Sequence, residues 1–349
     1  MPEKLMVGLA YDPRAEYLEM GFGEEETAEF DSDSTIEALE EAIAGLGYDV
    51  QRIGSIYELT KRLSSGQRWG LVFNIAEGLY GRSREAQAPA LLEAYNIPYT
   101  FGDPLTLALS LDKAMAKTII RDAGIPTPAF RLLEEAGEND FHDLDFAIED
   151  YPLFLKPNSE GTGKGVSPDS IVRDGMALRR VAKRLQIRYC QPVLVEQYLP
   201  GREFTVGILG TGKDARVIGM MEVRFLSTAD ASIYSYNNKK YYEERVEYKL
   251  VRDKKIKEQA SDIALKAYNI LGCRDAGRID LRADKNDSLC FLEANPLPGL
   301  NPVHSDLPIL CGKAGMSYEE LISEIVNSAL KRQGNRISHF TFNAKIKNY

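Results

Sequence analysis

Asp280, Glu293 and Asn295 sit in the stretch GRIDLRADKNDSLCFLEANPLPGLNP, residues 277–302. GRIDLRA alternates apolar or small residues with Arg278, Asp280 and Arg282. SLCFLEAN follows a charged turn at Asp284, Lys285, Asn286 and Asp287. The pattern predicts two strands. Residues two apart in a strand share a face, so Arg278, Asp280 and Arg282 lie together and Glu293 lies with Asn295. Paired as a hairpin, the strands bring Asp280, Glu293 and Asn295 into one all-oxygen set. That is the donor type Mg²⁺ takes, with water and phosphate oxygens completing its shell. A solvated hairpin with ordinary surface charges is the alternative for these residues taken alone.

Upstream, LFLKPNSEGTGKGVSP (153–168) reads as a strand running into a loop with Gly161, Gly163 and Gly165. Glycines let backbone N–H groups approach and cradle phosphate oxygens, although many such loops are simple turns. Neither a Walker A loop nor a GxGxxG opening a helix is present. Lys156 at the strand end and Lys113 on the preceding helix add cations that suit phosphate; a helix lysine by itself is a solvated side chain. VLVEQYLPGREF places Glu196, Gln197, Tyr198 and Leu199 after a strand. Such an edge can read adenine by backbone groups and a carboxylate, and Glu203 a turn further on suits ribose hydroxyls. An ordinary bend explains the same residues in isolation.

These residues need elements to position them. LMVGLAY (5–11), YDVQRIG, WGLVFNIAEG and IPYTFGD (97–103) read as strands. The helical pattern TIEALEEAIAGLG, capped by Ser34, and IYELTKRLSSG alternate with them. Alternation implies a parallel α/β domain over 1–103, whose ligand loops follow the strand ends at 11–34 and 76–87. Residues 103–128 read as one helix closed by Gly124 and Pro126. Residues 134–152 read as polar and peripheral, and 193–210 as strand, turn and strand. RVIGMMEVR (216–224) continues that sheet. Residues 226–249, polar and tyrosine-rich without a period, read as a long functional loop. The last helix, MSYEELISEIVNSALKRQG, carries a capping box at Ser317 and Glu320. The expected units are 1–103, 104–192, 193–331 and a basic tail, 332–349.

The chain has 349 residues, 44% hydrophobic and 27% charged, with net charge −9. The length calls for two or three domains, and the acidic balance argues against nucleic acid as partner. No apolar run is long enough to span a membrane. No signal-peptide pattern opens the chain. Four scattered cysteines and three dispersed histidines suit neither a disulfide nor a zinc set, so a cytoplasmic protein is expected.

In combination, LDKAMAK, YPLFLKPNSEGTGKGV, VLVEQYLPGREFTVGILG, GRIDLRAD, FLEANPLPGLNP and AGMSYEELI follow the order found in ATP-grasp carboxylate–amine ligases. The chain most resembles D-alanine–D-alanine ligases, over residues 1 to about 331. The resemblance implies an N-terminal α/β domain followed by two ATP-grasp subdomains clamping ATP, small-molecule carboxylate and amine substrates, and a homodimer. It implies that Lys113, Lys156 and the loop residues Glu160, Gly161 and Gly163 contact ATP. Glu196, Gln197, Tyr198 and Leu199 then read adenine, and Glu203 holds ribose. Asp280, Glu293 and Asn295 hold two Mg²⁺ ions. Arg278 and Lys239 (Lys240 by an alternative alignment) serve the transferring phosphoryl group.

The substrate side departs from the family pattern. NIAEGLYGRSREAQ places Glu77 at a family histidine position, and Arg82 and Ser83 where an acidic pair stands. Glu29 is the nearest candidate for a substrate-binding glutamate, with Asp31 as alternative. Thr162 replaces a serine. Gly299 and Ser305 are retained near the second-substrate site, and Asp306 follows where a neutral residue is usual. A carboxylate there is repulsive to a substrate carboxylate unless it meets a cation; alternatively it points away and caps the next segment. The amino-acid pockets therefore read as rebuilt. Arg82 and Arg84 would suit a substrate with an extra anionic group, or simply line a solvated loop.

Overall fold

The computed structural model describes residues 4–134, 151–229, 233 and 235–339. The first sheet holds β1 (Met6–Ala10), β2 (Asp49–Gly54) and β3 (Leu71–Asn74), parallel in the order β2-β1-β3. All four residues of β3 are buried, as a strand covered on both faces requires. Gly8 lies in central β1 because a Cβ there would stand 2.5 Å from Ile53 Cδ1. The helix Asp33–Gly45 buries Ile36, Leu39, Ala42 and Ile43. Its cap is Ser32 and not Ser34: Ser32 has the extended backbone a cap needs and accepts from Thr35 N. The 97–103 segment forms only a bridge, Tyr99 to Val72. Phe101 then turns into the left-handed region, at φ 70°.

The helix expected across 103–128 is two, Pro104–Leu111 and Lys113–Asp122. Asp112 takes an extended conformation between them and accepts from Met115 N at 3.0 Å, capping the second. The break makes Lys113 the first residue of that helix.

The second sheet contains β4 (Phe130–Leu133), β5 (Leu153–Pro157), β6 (Ile171–Val172) and β7 (Val193–Gln197), in the order β4-β7-β5-β6. The third contains β8 (Glu203–Leu209), β9 (Arg216–Phe225), β10 (Val246–Leu250), β11 (Ala276–Ala283) and β12 (Leu289–Asn295), in the order β10-β9-β8-β11-β12. β7, expected to share a sheet with β8, pairs instead with β4 and β5. The chain passes between sheets over 198–202, so the change of sheet falls after 197 rather than at 192. Residues 226–249 are not all loop. Short helices Tyr236–Lys240 and Tyr242–Arg245 lead into β10, whose Val246 and Tyr248 face inward. The expected peripheral segment lies largely outside the described residues, as does 340–349. The helix Tyr318–His339 runs past the expected end. Its Leu321, Ile322, Ile325 and Val326 pack with Ile36, Leu39 and Ile43, so the C-terminal helix shares the core of the first domain. The expected capping box is present: Glu320 N donates to Ser317 Oγ and Ser317 N to Glu320 Oε2.

Candidate active site

β11 and β12 pair antiparallel, with Asp280 opposite Glu293 and Arg278 opposite Asn295. Asp280, 5% exposed, accepts from Thr205 Oγ1 at 2.9 Å, Arg278 Nη1 at 2.7 Å and Asn295 Nδ2 at 3.2 Å. Burial and the neighbouring Glu293 raise its carboxyl to about 6 against the pull of Arg278. Burial also pushes Glu293 up, but Lys113, Lys156, Lys239 and Arg278 together hold it well below the usual carboxylate range. One carboxylate is thus firmly ionised, and its partner is short of positive charge. An added cation is what this set accommodates. Asn295 turns its Nδ2 to Asp280, which leaves its Oδ1 as a further donor. Among the described residues no three His, Cys, Asp or Glu side chains form a metal cluster. A metal here would take two carboxylates and an amide, with phosphate oxygens and water for the rest; these hard oxygen donors fit Mg²⁺.

Between the second and third sheets a cavity of about 780 Å³ opens onto this hairpin. Lys113, Lys156, Lys239, Asp280, Arg282 and Glu293 line it together with Phe154, Glu196, Gln197, Tyr198, Leu199 and Glu203. Lys156 Nζ stands 3.0 Å from Glu196 Oε1, and fully buried Lys117 3.0 Å from Oε2. Glu196 is therefore bracketed by two lysines, whose charges outweigh burial and lower its pKa. Burial lowers the Lys117 and Lys113 pKa values. Glu203 pairs with Arg282 at 2.8 Å, and that guanidinium lies 5.4 Å from the Tyr198 ring. Lys239 faces the cavity, whereas Lys240 pairs with Glu24 at 2.5 Å.

The glycine-rich loop is held by Glu29. Gly161 N donates to Glu29 Oε1 at 2.6 Å, Lys164 Nζ to Oε2 at 2.6 Å, and Arg84 Nη2 to both oxygens at 3.2 and 3.0 Å. A Cβ at Gly161 would stand 2.2 Å from Glu29 Oε1, so the contact needs glycine. Thr162 takes a positive φ of 49°, and its buried Oγ1 has no hydrogen-bond partner among the described residues. Gly163 and Glu160 line the cavity. Asp31, the alternative to Glu29, is a carboxyl raised well above its ordinary value by burial and by Asp12.

The other expected substrate residues have surroundings of their own. Arg82 is 65% exposed, pairs with Asp112 at 2.5 Å and is not among the residues lining the cavity. Arg84 is buried on Glu29 and Ser159 O instead of lining a solvated loop. Glu77 is raised well above the carboxylate range by burial and Glu85. Ser305 Oγ accepts from Asn301 N at 3.0 Å, close against Gly299. Asp306 meets a cation: its Oδ2 lies 3.1 Å from Arg278 Nη1, and Tyr248 OH donates to Oδ1 at 2.9 Å. Lys164, Lys117, Glu85 and Ser110 were not singled out from the sequence. The lysine inside GTGKG was a usable signal for the first, whereas Ser110 in an apolar helix gave none.

A parallel α/β domain followed by two antiparallel sheets around a cavity of lysines and carboxylates defines an ATP-grasp carboxylate–amine ligase. The comparisons agree. The family model for the D-ala D-ala ligase C-terminus matches residues 119–327. The D-alanine–D-alanine ligase of Bordetella petrii is 34% identical over 263 residues, 74% of this chain and 75% of that one. The Aquifex aeolicus D-alanine–D-alanine ligase is 31% identical over 292 residues, covering 84% and 93%. An uncharacterized protein, y4sG of Sinorhizobium fredii, is 34% identical over 267 residues, 75% of each chain. A crystal structure of the Bacillus anthracis D-alanine–D-alanine ligase complexed with ATP shares the fold. Its TM-score is 0.71 at 22% identity, covering 95% of this chain and 99% of that one. The chain belongs to the D-alanine–D-alanine ligase family and is an ATP-dependent ligase. Among the described residues no helix is long and apolar enough to cross a membrane.

Proposed function

We propose that this ligase joins a carboxylate donor to an amino acid or amine other than a pair of D-alanines, through an acyl phosphate. A donor carboxylate oxygen attacks the γ-phosphorus of ATP, and ADP leaves. The amine then attacks the acyl carbon, loses its proton, and phosphate leaves. Both steps gather negative charge on oxygen, which fixed cations stabilise without reorganising. Lys113 and Lys156 bind ATP phosphates, Lys239 reaches the γ-phosphate, and Arg278 faces the tetrahedral centre. Gln197, Tyr198 and Leu199 read adenine, while Glu196 fixes Lys156 and Glu203 meets ribose. Asp280, Glu293 and Asn295 would hold Mg²⁺, two ions on this reading, and the metal when bound would supply positive charge for the phosphoryl oxygens. The working units are the α/β domain, the sheet ending at 197 and the sheet from 203 onward.

The observation that carries the change of substrate is Asp306 on Arg278. Asp306 is met by a cation, so the effect is competition and not repulsion: it takes one side of the guanidinium and leaves less of Arg278 for a carboxylate on the acceptor. The saturated Glu29 supports the same reading. The 34% identity to a D-alanine–D-alanine ligase supports the rival, a genuine enzyme of that specificity. ADP release with D-alanine as sole amino acid, beside a panel of carboxylates and amines with mass detection of product, decides between them. The proposal expects turnover only with a panel pair. Robust turnover of D-alanine at ordinary concentration overturns it.

A further inference from the structure

Arg278 is shared between two carboxylates. Its Nη1 stands 2.7 Å from Asp280 Oδ2 on the hairpin and 3.1 Å from Oδ2 of Asp306, the first residue of the helix Asp306–Ala314. Asp306 Oδ1 accepts in turn from Tyr248 OH at 2.9 Å. We propose that Tyr248 is a positioning residue for amide formation: through Asp306 it sets the Arg278 guanidinium at the tetrahedral centre. This rests on the role given to Arg278 above and holds whichever amino acid or amine is the acceptor.

The third sheet explains why residues from three elements meet. Tyr248 lies opposite Val223, Val223 opposite Glu203, and Glu203 opposite Arg282. Facing residues share a side of a sheet, and so do residues two apart. Tyr248, Arg282, Asp280 and Arg278 therefore project to one side. The helix Asp306–Ala314 packs there: a Cβ at Gly207, opposite Arg278, would stand 2.6 Å from Leu310 Cδ2. The glycine lets the helix approach and bring Asp306 to the guanidinium. Tyr248 is 9% exposed, in an apolar cluster with Val223, Val246 and Leu310. Packing thus fixes the ring and aims its hydroxyl.

An aspartate in the first turn of a helix is favourable by charge alone, but that does not orient its two oxygens. Held by Tyr248 at one oxygen, Asp306 keeps the other for Arg278 and pulls against Asp280. Without that pull the guanidinium settles on Asp280 and turns from the acyl carbon. Fixed cations stabilise an oxyanion only while they are aimed at it, and a hydrogen bond to a charged group is strong enough to hold the aim. Tyr248 therefore bears on the second step, where the amine attacks. Attack on the γ-phosphorus is served by Lys113, Lys156 and Lys239.

Rapid-quench single turnovers with ATP, Mg²⁺ and the best-used pair of the substrate panel, D-alanine included, follow ADP and amide separately. Tyr248→Phe keeps the ring in its cluster and removes only the hydroxyl. It should slow amide formation about tenfold and leave ADP formation and KM for ATP within about twofold of wild type. Combined with Asp306→Asn it should slow amide formation no further than Asp306→Asn alone, because the route runs through that carboxylate. Tyr242→Phe, which removes a neighbouring hydroxyl bonded to Val303 O, should change neither rate. The inference is wrong if Tyr248→Phe fails to slow amide formation more than ADP formation, if its effect persists in full beside Asp306→Asn, or if Tyr242→Phe reproduces it. The ligase reading stands in each of those cases. If wild-type protein forms no ADP with any pair, the ligase reading fails and this inference fails with it.

Discussion

Glu29→Gln separates a structural latch from a substrate contact. The Glu29 side chain is 6% exposed and holds Lys164, Arg84 and Gly161 N. Burial opposes its ionisation, yet the charges of Arg84 and Lys164 bring its carboxyl from 4.5 down to about 2. At about 1.4 kcal/mol per pH unit, that difference is worth about 3 kcal/mol of stability. Removing one member of a buried ion pair costs about 3–5 kcal/mol by comparison, so the two routes agree near 3. Glutamine keeps the shape and one acceptor for Gly161 N but leaves Arg84 and Lys164 without their shared anion. The thermal unfolding midpoint should fall by about 4 °C at neutral pH.

The sign of the pH effect follows from the lowered pKa. The contribution is complete above about pH 4.5 and is lost as pH falls through about 2. The gap between wild type and variant should therefore hold down to about pH 5 and close toward pH 2. Scanning calorimetry across that range measures it. A variant as stable as wild type in which only the donor KM changes, by rising, would refute the latch and return Glu29 to the substrate.

Three other perturbations test separate parts. Lys156→Ala removes a buried cation from the cavity and should lower kcat/KM for ATP by about 10²-fold; a change confined to the amine substrate would contradict the placement. Asp275, fully buried, accepts from Phe101 N at 2.8 Å, Ser328 Oγ at 2.8 Å and Arg332 Nη2 at 2.6 Å. Asp275→Ala should cost about 3–5 kcal/mol in urea denaturation, because it unties the last helix from both flanking domains. An unchanged midpoint would contradict this. Asp306→Asn takes a carboxylate off Arg278 and should lower KM for acceptors bearing a carboxylate by about tenfold; no change in acceptor preference would remove Asp306 as a selector.

The hairpin was legible because two local rules coincide in it: alternation set the faces and the charged turn joined the strands, whereas the register shift between Asp280 and Leu281, which brings Asp280 opposite Glu293 rather than Leu292, left no signal in the sequence. The cap at Ser317 was legible for the same reason. What stayed hidden depends on long-range partners. Nothing in the run from Glu24 to Glu29 says which glutamate meets Lys164, a residue of a loop in another domain. The break at Asp112 was lost inside a strongly helical stretch, since the aspartate that ends one helix also begins the next. β7 and β8 read as neighbours across a tight Pro-Gly turn, yet their pairing was decided by β5 and β11, which lie on opposite sides of the cavity. The inward alternation of Val246 and Tyr248 was readable and was masked by the polar residues before it.

The Glu293→Ala variant bears most directly on the central assignment of an ATP-dependent phosphoryl-transfer site on this hairpin. Glu293 is the most firmly ionised group of that set, held so by four cations. Mg²⁺-dependent ADP formation in the variant, measured with its circular dichroism and unfolding midpoint, should fall at least about 10²-fold while the fold is retained. An unchanged rate of ADP formation would contradict the account.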